Sequence, residues 1–139
     1  MGKDTTILLN SLKDCKSFKR YFEAHNQQFV TAALPELLDE ILKKTGRSKS
    51  EVIRNADVHE VYGYQIFSGV RHPDRKILLR LLIAAGADFE DIQNVLKSSS
   101  YPQLYVKNPA DCVIIYGVCN HMSVTEINLL LYEYEQELI

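Results

Sequence analysis

Cysteine and histidine have the widest chemical reach of the side chains in this 139-residue chain, and their spacing limits what they can do. Cys15, Cys112 and Cys119 are odd in number and lack C-x-x-C spacing, which argues against a disulfide framework and a zinc site. Cys112 and Cys119 lie two helical turns apart, so they can share a face; a redox switch, or a metal site of Cys119 with His121, is the chemistry they would offer. The simpler reading is small buried apolar residues in a reducing compartment, with no metal and no cofactor. His25, His59, His72 and His121 are scattered without an inferable carboxylate partner and read as surface residues. There is no G-x-S-x-G, P-loop, H-E-x-x-H or glycine-rich fingerprint after a strand, so no enzyme is expected.

Charge points elsewhere. The net charge is −2, yet residues 43–76 hold eight basic side chains (Lys43, Lys44, Arg47, Lys49, Arg54, Arg71, Arg75, Lys76) against four acidic ones, a local +4. The segment before sums to −1 and the one after to −5, so a positive field is concentrated on the middle of the chain. Solvation of helix surfaces would account for the same residues by composition alone.

The elements that position this charge are two short helices joined by a tight turn. Ser48 is an N-cap and Glu51, three residues on, is placed to close a capping box; Val52, Ile53 and Ala56 form the apolar side. Asp57 stands where the chain must turn and tolerates a left-handed backbone, and Val58 is the buried residue of that turn. The second helix is predicted from about His59 to Ser68, stopping at Gly69, and Pro73 opens the next.

This arrangement resembles the helix-turn-helix of the Cro and lambda-repressor class of bacterial regulators, the Xre family. The matching positions are Ser48, Val52 with Ile53, Asp57 with Val58, the helix 59–68, Gly69, Arg71 and Pro73. The stretch from Leu78 to Ile92 is similar to the family's fourth helix, its terminal glycine and the start of the fifth, so the likeness covers residues 34–96. Two positions depart from the family pattern. Gly63 replaces a buried branched residue, at a helix cost of about 1 kcal/mol relative to Ala, and Phe67 stands where Glu is common.

The resemblance implies double-stranded DNA as the partner and transcriptional regulation as the role. The base-reading residues would be His59, Glu60, Val61, Tyr64 and Gln65. Gln65 can pair bidentately with adenine, Glu60 can accept from cytosine and Val61 can pack on a thymine methyl. Phosphate contacts would come from Ser48, Lys49, Ser50, Tyr62, Arg71, Arg75 and Lys76. The aromatic residues Tyr62, Tyr64 and Phe67 support a second reading, an adaptor that docks an unknown protein partner on the same helix.

No two-residue period is long enough for a strand, so the chain is predicted to be all-α, a lambda-repressor-like five-helix core (34–98) with an N-terminal accessory helix (1–33) and a C-terminal helical hairpin (99–139), packed as one unit. The N-terminal helix is expected from Thr5 or Thr6 to about His25, with Leu8, Leu12, Cys15, Phe18 and Phe22 as its stripe and Lys13, Lys16, Lys19 and Arg20 opposite. Asn26 to Ala33 reads as a linker, and Leu34 to Gly46 as a helix whose terminal Lys43, Lys44 and Arg47 serve either as caps or as phosphate ligands. After a turn-rich connector, a nearly all-apolar helix to His121 reads as buried. A capping box of Ser123 and Glu126 starts a last helix expected to reach the C-terminus, with Glu133, Glu135 and Glu137 facing solvent. The hairpin either completes the core or forms the face of a homodimer. No apolar run approaches the ~20 residues of a membrane span, and without a signal-peptide core the expectation is a cytoplasmic protein.

Overall fold

In a computed structural model that describes residues 5–25 and 34–139, every regular element among the described residues is an α-helix. They group into two compact units, divided between residues 31 and 32.

The first unit holds α1 (Thr5–Asp14) and α2 (Phe18–His25) where one continuous helix was predicted. The break is local: the Cys15 N–H bonds Leu12 O at 3.3 Å to close α1, and the Ser17 hydroxyl accepts from the Arg20 N–H to start α2. The anticipated stripe is therefore not continuous; no residue of α1 is buried, and Leu12, Phe18 and Phe22 are exposed. The Tyr21 hydroxyl donates to Leu8 O at 3.2 Å and ties the two helices together. The linker expected at 26–33 lies outside the described residues.

The second unit runs α3 (Leu34–Thr45), α4 (Lys49–Asn55), α5 (Glu60–Ser68), α6 (Arg75–Ala84), α7 (Phe89–Ser98), α8 (Pro109–Cys119) and α9 (Val124–Glu133). Five of these start on a side-chain cap: Ser48, Asp74, Asp88, Asn108 and Ser123 each accept from the N–H three residues on, satisfying a donor that the helix leaves orphaned. Ser48 makes only this half of the predicted box, whereas Ser123 and Glu126 close theirs in both directions. Asp74, not Pro73, caps α6; Pro73 is buried one residue earlier.

One hydrophobic cluster joins α3–α7 to α8 and α9, so no boundary in the packing falls at residue 98. Leu38, Val52, Ile66, Leu78, Leu82, Ile92, Leu96, Ile114, Ile127 and Leu131 form its centre. Each such side chain contributes about 1.5–3 kcal/mol by leaving water. The cost expected at Gly63 has a packing reason: a Cβ there would lie 2.6 Å from Ile53 Cγ2, so the glycine admits Ile53 between α4 and α5.

The C-terminal hairpin departs from expectation in three ways. Ile114 and Val118 are buried, but Tyr116, Cys112 and Cys119 are exposed, so α8 is buried on one side only and its cysteines are not core residues. α9 stops at Glu133 because Glu135 takes a left-handed φ of 57°, and the chain folds back until Asn128 pairs with both the N–H and the carbonyl of Ile139. Tyr134 and Leu138, beyond the end of α9 and no longer on the helical period expected to reach the C-terminus, are exposed. Among the described residues, no helix is long and apolar enough to cross a membrane.

Candidate functional site

The turn between α4 and α5 fixes which side of α5 faces outward. Asp57 adopts φ 56°, as its side-chain chemistry allows, and its carbonyl accepts from Arg80 Nη2 at 3.3 Å. Val58 plugs into the core at 9% exposure. At the other end Gly69 is left-handed at φ 86°, and Gln65 O accepts the N–H groups of Val70 and Arg71 and the Ser68 hydroxyl. With Gly63, Ile66 and Phe67 turned inward, the helical period leaves Glu60, Val61, Tyr64, Gln65 and Ser68 on one outer face.

Along that face Val61 is 59% exposed and Tyr64 41%, while Gln65 is half-buried and its side-chain amide has no hydrogen-bond partner among the described residues. Two open hollows flank the ridge. One of about 510 Å³ is lined by Lys49, Glu60, Val61, Tyr64, Gln65, Phe67 and Ser68. The other, about 380 Å³, is lined by Ser50, Ile53, Arg54, Asp57, Val58, Glu60 and Tyr64. Of the five residues read as base-contacting, four thus share one surface, and His59 sits at its edge as an exposed N-cap residue whose ring makes no capping bond.

The residues read as phosphate ligands divide. Ser48 is occupied as the cap of α4, with Ser50 Oγ 3.4 Å from its hydroxyl. The Lys49 ammonium lies 5.7 Å over the Phe67 ring and 3.8 Å from Asp39, on the surface beside α5. Arg71 is exposed with no ion pair among the described residues. Tyr62 is half-buried against the core rather than projecting.

Arg75 and Lys76, counted as free cations from the sequence, are instead committed within the molecule. Arg75 holds Asp111 through both terminal nitrogens, at 3.2 and 3.0 Å, and donates to the carbonyls of Pro102 and Gln103. Asp111 is 6% exposed and also accepts the Tyr105 N–H, so this pair pins the connector between α7 and α8. Lys76 pairs with Glu137, which the sequence reading had left facing solvent.

Other cations behave similarly. Lys44 bridges to Asp91 at 2.8 Å, whose hydrogen bond and then whose charge raise the lysine pKa, and Arg47 donates to Ala84 O. Arg54, by contrast, is exposed without a partner among the described residues and lines the hollow beside Tyr64. Sequence reasoning counted its charge but assigned it no contact. The signal was helical position, since it follows the buried Val52 and Ile53 on the opposite side of α4.

Behind α5 the exit loop is held by an aromatic stack. The rings of His72 and Tyr101 lie 5.2 Å apart at 15°, and the Tyr101 hydroxyl donates to Pro73 O. Burial, with smaller contributions from the charges of Asp74 and Tyr62, pushes the Tyr101 phenol up to about 12.

Among the described residues, no group of three or more histidine, cysteine or acidic side chains could hold a metal ion. Comparison of the chain with family models, curated proteins and solved structures finds no match.

Proposed function

We propose that this chain binds duplex DNA by laying α5 in the major groove and acts as a transcriptional regulator with a lambda-repressor-like core. The observation that carries the reading is one surface: among the described residues, a Gln65 amide without a hydrogen-bond partner beside exposed Val61, Tyr64 and Glu60, flanked by Arg54 and Arg71, which form no ion pair there. A helix fits the major groove, where an amide can pair with adenine N6 and N7 and a branched side chain can meet a thymine methyl. Arg54, Arg71 and Lys49 then hold phosphates and set affinity, while Arg75 and Lys76 brace the scaffold.

A second reading is favoured by one feature. α5 carries Glu60 and no basic residue, and its most exposed large apolar side chain is Val61, so the same surface suits an uncharged patch on a protein partner.

Selection from a random duplex library at two salt concentrations separates these readings. DNA recognition gives an enriched motif whose discrimination relaxes by about 1–3 kcal/mol at one position in Gln65→Ala. Arg54→Ala and Arg71→Ala then weaken all sequences alike and each reduce the salt slope by about one. A folded protein with neither enrichment nor salt-dependent binding rejects this function and leaves the adaptor.

A further inference from the structure

The first unit carries cations and exposed large apolar side chains on the same two helices. Residues 5–25 hold Lys13, Lys16, Lys19 and Arg20 against Asp14 and Glu23, in a chain whose net charge is −2. Among the described residues no acid pairs with any of these four cations, whereas Lys44, Arg75 and Lys76 of the second unit each hold a carboxylate. Leu9 and Leu12 are exposed on α1, and Phe18 on α2 is 66% exposed. α1 is ten residues long with no buried residue, so it lacks the tertiary packing from which short helices take most of their stability.

Spacing interleaves the two kinds of side chain. Lys13 follows Leu9 by four residues, one turn along the same side of α1, and Lys19 and Arg20 stand between Phe18 and Phe22 on α2. Lysine and arginine can lay their methylene stems along such apolar neighbours while their heads reach charge beyond. The Tyr21 hydroxyl on Leu8 O holds the two helices together, so both present these residues as one element.

We infer that α1 and α2 form a docking surface for an anionic phospholipid bilayer, lying in its interface with Leu9, Leu12 and Phe18 toward the acyl chains and the four cations on the headgroups. Charge complementarity selects that occupant. A nucleic acid would take the cations and leave the apolar side chains in water. The core of a protein interface is depleted in lysine, and two copies of this unit would bring like charges together. An anionic bilayer accepts both kinds of side chain at one depth, where buried apolar area and attraction to the headgroups add. Helices that lie in the interface need no spanning length, and the inference does not depend on DNA binding by α5.

The test is co-sedimentation of the full chain with vesicles of phosphatidylcholine alone and of phosphatidylcholine mixed with phosphatidylglycerol, at two salt concentrations. Binding is expected to the mixed vesicles and should weaken as salt rises. Phe18→Glu should lower the partition by roughly tenfold or more, and Lys16→Gln and Lys19→Gln by roughly fivefold each. All three positions are exposed, so the variants should keep the wild-type circular dichroism melt. Arg54→Gln with Arg71→Gln, in the second unit, should leave vesicle binding unchanged. The chain has no tryptophan, so Phe18→Trp supplies a single fluorophore whose emission should shift to the blue on the mixed vesicles. A chain that ignores the mixed vesicles, even if Lys16 and Lys19 then prove to bind duplex DNA, overturns the inference. So does equal binding to neutral vesicles, a Phe18→Trp emission unmoved by vesicles that the chain binds, or binding that depends on Arg54 and Arg71 instead of Lys16 and Lys19.

Discussion

The α4–α5 and α8–α9 pairs are locked by the same device and present opposite surfaces. In each, a buried glycine on one helix receives an isoleucine from the other: Gly63 admits Ile53 and Gly117 admits Ile127. Outside, α5 carries polar and apolar side chains flanked by Arg54 and Arg71, which have no ion pair among the described residues, while the exposed charges of α8–α9 are acidic, Glu126 and Glu133. Interior packing therefore says nothing about the partner each pair takes. That information lies in which outward charges the rest of the molecule leaves unneutralised.

The Arg75–Asp111 pair decides whether both surfaces belong to one rigid frame, and breaking it carries the largest expected effect. Arg75→Ala strands a carboxylate that is 6% exposed and removes the donor to two connector carbonyls. The loss should be about 3 kcal/mol in urea unfolding, since an uncompensated buried charge costs more than its pair contributed. Arg75→Met with Asp111→Leu should recover most of it. A loss below about 1 kcal/mol for Arg75→Ala would mean that the connector is held by other contacts.

The shared packing device is tested next. Gly63→Ala and Gly117→Ala each place a methyl where an isoleucine already sits. Overpacking of about 1–3 kcal/mol is set against a helix-propensity gain of about 1, and the neighbouring isoleucines are fully buried or nearly so, leaving little room to give. Both variants should lower the melting temperature, and Ile53→Val should soften the effect of Gly63→Ala. If Gly63→Ala stabilises the fold instead, the two pairs are not locked alike.

Local chemistry was legible in the sequence where it acts locally. Ser48, Asp57, Val58 and Gly69 each mark a cap or a turn because the backbone at that point needs that residue type. The resemblance likewise implied that Tyr64 points outward, and it is 41% exposed. What could not be read were partners distant in the chain. Arg75 meets Asp111 and Lys76 meets Glu137 only after the hairpin has folded back onto α6, so both looked like free cations. Gly63 looked like a defect for the same reason, because the side chain that needs its vacancy is on another helix. An apolar α8 implied burial on all sides, but composition does not say how many sides have neighbours.

Tyr101 reports on the α5 exit loop through its titration. Its phenol ionises near 12 in the folded chain against 10 unperturbed. Between those values the unfolded state has released the proton and the folded state still holds it, so stability falls as pH rises through that window. The group is only half-buried, so solvent screening makes the loss smaller than the shift alone implies. Ultraviolet absorbance should show a late-ionising tyrosine that Tyr101→Phe removes. Ionisation of every tyrosine near 10 would mean that burial beside the α5 exit loop does not raise this phenol.

The smallest effect bears most directly on the contrast between the two surfaces. Lys76 and Glu137 are an exposed pair, the glutamate side chain at 80%, and such pairs contribute about 0–1 kcal/mol. Glu137→Gln should leave the melting temperature nearly unchanged while releasing Lys76. If α5 reads DNA and Lys76 lies within reach of the backbone, the variant gains a phosphate contact. Its log affinity should then fall more steeply with log salt, by about one unit of slope. An unchanged slope with an intact fold would place Lys76 outside the DNA footprint and confine the phosphate-binding surface to Lys49, Arg54 and Arg71.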